Sequence, residues 1–369
     1  ERYAMNGYFC VLTTIDFFVL CFMCILTYLA KRLAKTKAGF FLAFVLIAGI
    51  SVLEVITLVV DGLPPGYRWL NITANYLGFG LSPAVCICLV YVLDRKTALR
   101  REIRTAVRIE IGYLIFLFVT IPCGMVFSVS ADNIYSRGPH FYIYIVMYFG
   151  AILYLSASTV ITAREFQNRS RLLIYPLILF VMAETIIQVA LPELHVTWLC
   201  VTLLSVLYFI YCSEMWNQLD ALTGLLNQNS YLKQTGGVRC KGGVLVVFDV
   251  DDFKQINDDT AIYREIVVLQ ESQNASKKSY ANFGYCYRIG GDEFCVLLKN
   301  GGNEGRCKQE FLQRLQEKRG EIAIFTYGIY GSAPFSGEDI VKVKDRADQD
   351  MYQYKKGRKK HCSSGVLSK

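Results

Sequence analysis

Residues Arg288 to Phe294 read Arg-Ile-Gly-Gly-Asp-Glu-Phe, a Gly-Gly turn followed at once by two carboxylates and an aromatic, with a hydrophobic run on either side. Two glycines between β-runs make a tight hairpin where backbone can approach a ligand closely, and Asp292 and Glu293 at that turn can hold a divalent cation against a phosphate. A glycine pair followed by acids is also an ordinary hairpin tip, so the turn alone leaves both readings open. A second segment, Gly243-Val-Leu-Val-Val-Phe-Asp-Val-Asp-Asp-Phe-Lys-Gln-Ile-Asn257, reads as a buried strand that ends in Asp249, Asp251 and Asp252 and breaks into a helix start. Carboxylates at a strand end, beside the backbone amides of a new helix, suit a magnesium-bound nucleotide.

Together these segments resemble the GGDEF family of diguanylate cyclases, and the interval from Asp249 to Gly290 is the family's usual one. Asp220-Ala-Leu-Thr-Gly-Leu-Leu-Asn-Gln228 is similar to the family's opening D-x-L-T-G-L-x-N-R, with Gln228 where Arg is usual. Arg346-Ala-Asp-Gln-Asp-Met-Tyr-Gln-Tyr-Lys-Lys-Gly-Arg358 is similar to its closing A-D-x-A-M-Y-x-A-K-x-x-G-R-N. The resemblance covers roughly Leu219 to Lys360 and implies a palm-like α/β sandwich of the nucleotidyl-cyclase kind with a mainly antiparallel sheet, both acidic turns meeting at one sheet edge. It also implies roles. Asp249 and Asp292, with the Val250 carbonyl, would ligate Mg²⁺ (or Mn²⁺), and Glu293 would be the general base or a further metal ligand. Amides around Asp252, Phe253 and Lys254 would bind phosphates, the Gly290–Gly291 backbone would meet the substrate, and Asn257 would hold guanine. Lys355 and Arg358 would neutralise the triphosphate. The substrate is then GTP and the product cyclic di-GMP. Because each domain holds one GTP, closing the ring requires two domains face to face, and a homodimer is implied.

Departures from the family pattern bear on activity. The usual N-D-x-x-G-H-x-x-G-D is here Asn257-Asp-Asp-Thr-Ala-Ile-Tyr-Arg-Glu-Ile266, so Ala261-Ile262 replaces Gly-His and Glu265-Ile266 replaces Gly-Asp. Ile266 cannot accept a hydrogen bond from guanine, and an unpaired edge there costs roughly 1–3 kcal/mol. Glu265 substitutes only if the helix shifts register by one residue. The closing motif lacks one residue between Lys355 and Gly357, and the positions of the family's inhibitory R-x-x-D are Ala281 and Gly284, so feedback binding of product there is not expected. Two functions stay open: a ligand-regulated diguanylate cyclase, and a degenerate GGDEF receptor that binds nucleotide or a protein partner without turnover.

The elements that must carry this site are unequal in character. With 53% hydrophobic residues and a mean hydropathy of +0.33, the chain is too apolar for an ordinary soluble protein, and the excess lies before about Asn217. Runs of spanning length occur near Gly7–Ala30, Ala38–Val60, Trp69–Leu93, Val107–Val129, Phe141–Ala163, Leu172–Leu191 and Val196–Cys212, about seven helices. Lys31, Arg32, Lys35, Lys37, Arg95, Lys96, Arg100, Arg101, Arg104, Arg108, Arg164, Arg169 and Arg171 fill every second loop, while the others offer only Arg68 and Arg137. By the positive-inside rule the N-terminus is outside and the C-terminal part cytoplasmic, in a bacterial inner membrane crossed several times. The first apolar run is too long for a cleavable signal peptide. The division expected is residues 1–213 as membrane sensor, 214–221 as a short signalling helix and 222–369 as the GGDEF domain. The net charge of +8 follows from the loop asymmetry facing anionic lipid, and nucleic acid is not an expected partner. The 13 cysteines fall in spans or the cytoplasmic part, so free thiols are expected.

The membrane part resembles, in topology and length, the seven-helix N-terminal sensor region of some bacterial histidine kinases, but no phosphoacceptor His or ATP-binding glycine box follows it. Asp16, Glu54, Asn75, Glu184 and Gln188 all fall in the outer halves of their spans. Ionisable groups there either line a shared outward-facing sensor pocket or staple the helices by hydrogen bonds. Pro83, Pro122 and Pro176 are candidate kinks, and His140 and His195 read as interfacial. In the output part the pattern predicts strands at Gly243–Asp251, Phe283–Ile289, Glu293–Leu298 and Ile322–Gly328, and helices near Phe253–Gln273, Glu304–Lys318 and Glu338–Lys356.

Overall fold

The computed structural model describes residues 2–30, 37–93, 97–168, 174–190, 197–236, 242–250, 261–299, 301–321 and 328–364. The chain forms two compact units, Glu1–Glu165 with Arg169–Trp216, and Asn217–Lys369 with Phe166–Asn168.

The first unit is helical: α1 (Arg2–Leu29), α2 (Lys37–Val60), α3 (Arg68–Tyr91), α4 (Thr97–Thr120), α5 (Tyr142–Glu165), α6 (Ile174–Ala190) and α7 (Thr197–Asn217). Among the described residues five helices are long and apolar enough to cross a membrane: α1, α2, α3, α5 and α7. Helix α4 does not meet that test because Arg100, Arg101, Arg104 and Arg108 load its first half, and α6 is 17 residues long. The expected span Val107–Val129 is corrected by the structure. Its helix stops at Thr120, before Pro122, and Gly124 turns the chain at φ +59, a conformation that suits glycine. Pro122 therefore follows a helix end and kinks nothing, Pro176 sits in the first turn of α6, and Pro83 alone of the three lies inside a helix. Beyond α4 the chain makes a hairpin, β1 (Phe127–Val129) with β2 (Tyr135–Arg137). Polar groups fasten this hairpin to the α2–α3 turn. Asn133 Nδ2 donates to the Val60 carbonyl at 2.7 Å, and Asp61 Oδ1 accepts from the Tyr135 amide at 2.7 Å. Arg68 donates to the Val129 and Ser130 carbonyls, so this loop cation serves packing.

Helix α3 packs against α2, α4 and α5, and Phe40, Phe44, Ile47, Leu89, Val90 and Leu93 form a buried apolar core that Tyr208 and Phe209 of α7 join. Large apolar residues such as Phe18, Phe22, Val146 and Leu179 remain exposed on this unit, which is compatible with lipid surroundings.

The second unit is an α/β sandwich: α8 (Gln228–Thr235), β3 (Gly243–Val250), α9 (Ala261–Tyr280), β4 (Gly284–Arg288), β5 (Glu293–Leu298), α10 (Glu304–Glu321), β6 (Gly328–Phe335) and α11 (Ile340–Ser364). The sheet order is β4-β5-β3-β6 and every pair is antiparallel. Alternation along β3 builds a core on each face. Val244, Val246 and Phe248 meet Val268, Leu269 and Phe311 on one side, while Leu245 and Val247 meet Val343 and Ala347 on the other. A strand buried on both faces shows no polar alternation in sequence, which is why this run reads as continuously apolar.

Element ends differ from the sequence expectation. The predicted strand Ile322–Gly328 falls largely on residues outside those described, and β6 occupies Gly328–Phe335; α9 runs on to Tyr280, α11 to Ser364, and α8 was not expected. Helix α11 lies so close to β6 that a Cβ on Gly331 would stand 2.1 Å from the Ala347 carbonyl and 2.4 Å from the Met351 amide. Both are backbone atoms and cannot step aside. Gly331→Ala should therefore destabilise this unit by about 1–3 kcal/mol, read as a lowered midpoint in heat-induced unfolding of the full chain in lipid nanodiscs. An unchanged midpoint would mean that α11 can lift from β6 without loss.

Candidate active site

The β3–β5 register pairs Phe248 with Phe294 and Asp249 with Glu293. One step inside the acids, the rings of Phe248 and Phe294 stack at 5.1 Å with an interplanar angle of 1°, and Phe311 closes on Phe248 at 4.7 Å. Phe294 is fully buried. The aromatic after the two carboxylates thus anchors the strand end while Glu293 is exposed and Asp249 and Asp292 are half-buried. Sequence reasoning expected these acids at a sheet edge. They sit instead at one end of the two central strands, because β4 and β6 take the edges.

The turn itself is held by a clamp. Arg288 donates from Nε and Nη2 to the Gly291 carbonyl at 3.0 and 2.6 Å, and from Nη1 to Asp220 Oδ1 at 2.9 Å. The same Asp220 oxygen accepts from the Thr223 amide and hydroxyl at 2.9 and 2.7 Å. Gly224 takes φ +65, which lets its amide reach the Asp220 carbonyl at 2.8 Å. Leu226 then pairs with the outer edge of β4 through bonds with Cys286 and Arg288, and Asn227 caps α8 by accepting from the Ser230 amide. The Asp-x-x-Thr-Gly-Leu signature therefore acts by position, since it holds the arginine that holds the glycine turn. The Arg288 and Asp220 roles were missed in sequence, although both residues lie within the motifs quoted; a guanidinium directly before a Gly-Gly turn was the available signal.

Neither Gly290 nor Gly291 has a positive φ among the glycines so marked. A Cβ on Gly290 would press on Glu293 at 3.0 Å, whereas one on Gly291 would meet nothing within 4 Å. The second glycine keeps a face of the turn open, and the first keeps Glu293 in place.

Helix α11 brings a cation that the motif reading did not single out. Lys344, bonded to Asp348 at 2.9 Å, lies in the field of Glu293. Burial lowers its affinity for a proton, but the Asp348 hydrogen bond and the charges of Asp348 and Glu293 outweigh this and raise its pKa above the ordinary lysine value. Lys355 is half-buried three turns further on, about 16 Å along the helix axis, and the Arg358 side chain lies outside the described residues. Asp251, Asp252, Phe253, Lys254 and Asn257 also fall outside them, as does the Val250 side chain, while Glu265 and Ile266 are placed on α9 in backbone only. At the expected inhibitory positions, a Cβ on Gly284 would stand 2.3 Å from the Leu297 carbonyl, so no acidic side chain fits there. Gln167 Nε2 donates to the Ala281 and Gly284 carbonyls at 3.2 and 2.8 Å.

Metal capacity follows from the donor set. Among the described residues no three His, Cys, Asp or Glu side chains cluster to cage an ion. Mg²⁺ does not need such a cage, since one or two carboxylates with substrate phosphates commonly hold it, and Asp249 and Asp292 supply hard oxygen donors at one strand end. The described cysteines are free thiols; burial pushes Cys286 to about 11, which leaves it a packing residue. Cys123, contrary to the expectation for loops, lies in the exposed turn after α4.

The acids expected to share one membrane pocket divide. Asp16 and Glu54 line a common cavity, whereas Asn75 is bound elsewhere, donating to Asn71 Oδ1 at 2.7 Å. Glu184 and Gln188 lie on α6, their side chains outside the described residues.

Residues 217–361 match the family described as diguanylate cyclase, GGDEF domain. "Probable diguanylate cyclase DgcI" of Escherichia coli (strain K12) is 30% identical over 164 residues, 41% of this chain and 33% of that protein. Diguanylate cyclase DgcZ of the same organism is 27% identical over 167 residues, 42% of this chain and 56% of that protein. Diguanylate cyclase DgcS of Shewanella oneidensis is 34% identical over 144 residues, 37% of this chain and 49% of that protein. The chain thus spans between a third and about half of the length of these relatives.

Burial alone would raise the Asp220 pKa, but hydrogen bonds from Thr223 and Arg288 and the arginine charge prevail and hold it below the ordinary carboxylate value. A group depressed in the folded state adds stability that is present above its unfolded pKa and lost as pH falls through the folded one. Asp220→Asn should therefore lower unfolding stability at neutral pH and flatten its decline below about pH 4. Unfolding midpoints of parent and variant across acid pH check this; parallel curves would remove Asp220 from the clamp.

Proposed function

From the premise that the chain carries a GGDEF domain of the diguanylate cyclase family at residues 217–361, we propose that it is a membrane-bound diguanylate cyclase under external or membrane control, condensing two GTP into cyclic di-GMP and pyrophosphate. The observation that carries this reading is the β3–β5 register, which puts Asp249 opposite Glu293 beside a glycine turn with an open face. In this reading Asp249 and Asp292, with the Val250 carbonyl, hold Mg²⁺ or Mn²⁺. When bound there, such a metal would neutralise charge on the triphosphate and acidify the ribose 3′-hydroxyl. Glu293 accepts the proton from that hydroxyl as it attacks the α-phosphate of the second GTP. The open backbone at Gly291 admits the substrate, amides near Phe253 and Lys254 bind its phosphates, and Lys355 and Arg358 balance their charge. Asn257 holds the guanine edge. Two copies of the domain, each with one GTP, must meet for both phosphodiester bonds to close, hence a homodimer. The five apolar helices are compatible with membrane anchorage, and the lysine and arginine alternation across loops supports an external N-terminus with a cytoplasmic GGDEF domain.

A second reading rests on Ala261-Ile262 and Glu265-Ile266, which stand where the family has Gly-His and Gly-Asp. With guanine recognition weakened, the domain would act as a receptor that binds nucleotide or a partner without turnover.

Purified chain incubated with GTP, ATP and Mg²⁺, followed by mass analysis of dinucleotides, separates the two. Cyclic di-GMP from the parent and none from a folded Asp292→Asn variant is expected, since loss of that charge removes several kcal/mol of transition-state stabilisation, about a thousandfold or more in rate. Full activity in Asp292→Asn would sink the assignment.

The base contact has its own test. If Asn257 alone holds guanine, Ile266→Asp should tighten GTP over ATP by about one to two orders of magnitude. If Glu265 already makes the contact, Glu265→Ala should lose GTP selectively while Ile266→Asp changes little. Absence of GTP binding in the parent and in Ile266→Asp alike leaves only the partner-binding receptor.

A further inference from the structure

Strand β4 forms one edge of the sheet, and two pieces of chain pair with its outer side. Leu226 donates to the Cys286 carbonyl and accepts from the Arg288 amide through its own backbone. Next along the edge a side chain does the same work. Gln167 Oε1 accepts from the Cys286 amide at 3.0 Å, while its Nε2 donates to the Gly284 carbonyl at 2.8 Å and to the Ala281 carbonyl at 3.2 Å. A primary amide carries the donor and the acceptor of a peptide group, so Gln167 continues the pairing that Leu226 begins.

Phe166 and Gln167 come directly after Glu165, the last residue of α5, and belong to the same compact unit as the GGDEF domain. The Phe166 ring lies 5.0 Å from Lys277 Nζ, which in turn reaches the Gly224 carbonyl at 3.4 Å. Gly224 closes the turn that carries Asp220. Two adjacent residues therefore contact both supports of the clamp: Gln167 holds the strand that bears Arg288, and Phe166 sits beside the turn that bears Asp220. Gln167 has φ +53, a left-handed conformation that glycine or asparagine adopts more readily than a longer side chain. Either of those would serve to stop a helix. Neither has the reach to make the three bonds.

We propose that Phe166–Gln167 is a latch and Gln167 a positioning residue: it fixes the outer edge of β4 and, through Arg288 and Asp220, the Gly290–Gly291 turn, so that movement at the end of α5 is passed to the acidic turn. This gives the control proposed above a physical route, and in that respect it rests on that reading. Its test uses no nucleotide, so its failure is distinguishable from failure of the cyclase reading.

Hydrogen exchange of the full chain in phosphatidylcholine nanodiscs would compare the parent with Gln167→Asn and Gln167→Gly, which keep the left-handed turn and lose the reach. The Cys286 amide should exchange about threefold faster or more, the effect of one lost hydrogen bond. The amides of Ile289 and Gly290, which meet the Glu293 carbonyl at 3.0 and 3.4 Å, should speed up with it, while that of Val246 in β3 keeps its parent rate. In an Arg288→Lys background Gln167→Asn should still release Cys286 but add nothing at Ile289 and Gly290, because the connection is already cut. Parent-like exchange at Cys286 would overturn the proposal, as would release of Cys286 with Ile289 and Gly290 unchanged. So would an equal further effect at the turn in Arg288→Lys, or a uniform rise that includes β3, which marks general destabilisation. Should one Gln167 variant fail to fold, the other decides.

Discussion

The antiparallel register between β3 and β5 is the constraint on which the acidic end of the GGDEF domain depends. Because side chains alternate across a strand, a shift of one residue would send Asp249 to the opposite face from its present one and bring an apolar neighbour into its place. What resists that shift is apolar: Phe248 stacked on Phe294, wedged by Phe311, with valines and leucines buried on both faces of the central strands. The charged residues at the strand ends are located by hydrophobic packing immediately behind them. Such a division of labour leaves the position of the carboxylates to the apolar residues behind them.

The turn between β4 and β5 needs a second support, because glycine-rich backbone has little intrinsic preference for one conformation. Arg288 provides it from below. Its planar fork spans a backbone carbonyl and a carboxylate at once, which a lysine could not do with equal direction. Asp220 is in turn oriented by Thr223 and by the tight turn at Gly224. This chain of contacts links the first residues of the GGDEF domain to its acidic turn, so the conformation of the opening segment and the position of Gly291 are physically coupled. Gln167, docked on the carbonyls of Ala281 and Gly284, occupies the backbone where the family's inhibitory motif would begin and end. Close packing at Gly284 leaves that position no side chain with which to bind a product.

The helical unit follows different physics. Its core is built from phenylalanine, leucine and tyrosine on α2, α3, α5 and α7, and polar residues inside it fall into two kinds. Asp61, Asn71, Asn75 and Asn133 satisfy one another and fasten the β1–β2 hairpin to the helices. Asp16, by contrast, keeps a buried oxygen without a partner among the described residues, beside Glu54. The first arrangement is a staple, whereas the second leaves a carboxylate oxygen buried at a desolvation cost.

Much of this was legible in the residues themselves. Motifs at Asp220, Asp249, Gly290 and Arg346 identified the GGDEF domain because the family carries particular side chains at particular spacings, and strands buried on both faces announced themselves as unbroken apolar runs. The apolar composition before Asn217 likewise marked long apolar helices, of which five among the described residues, not seven, are long and apolar enough to cross a membrane. Other matters were decided only by the tertiary structure. Helix α4 ends at Thr120 because Pro122 and the positive φ of Gly124 interrupt what hydropathy alone reads as continuous. The acids lie at the end of central strands, not at an edge, because strand order is set by which faces bury together. Arg288 acquired its role only when the chain brought Asp220 back beside it, a contact between residues 68 positions apart. Of the polar residues grouped by depth, only Asp16 and Glu54 share a cavity among the described side chains, because hydropathy reports how deep a residue lies in a span and not the direction in which it faces.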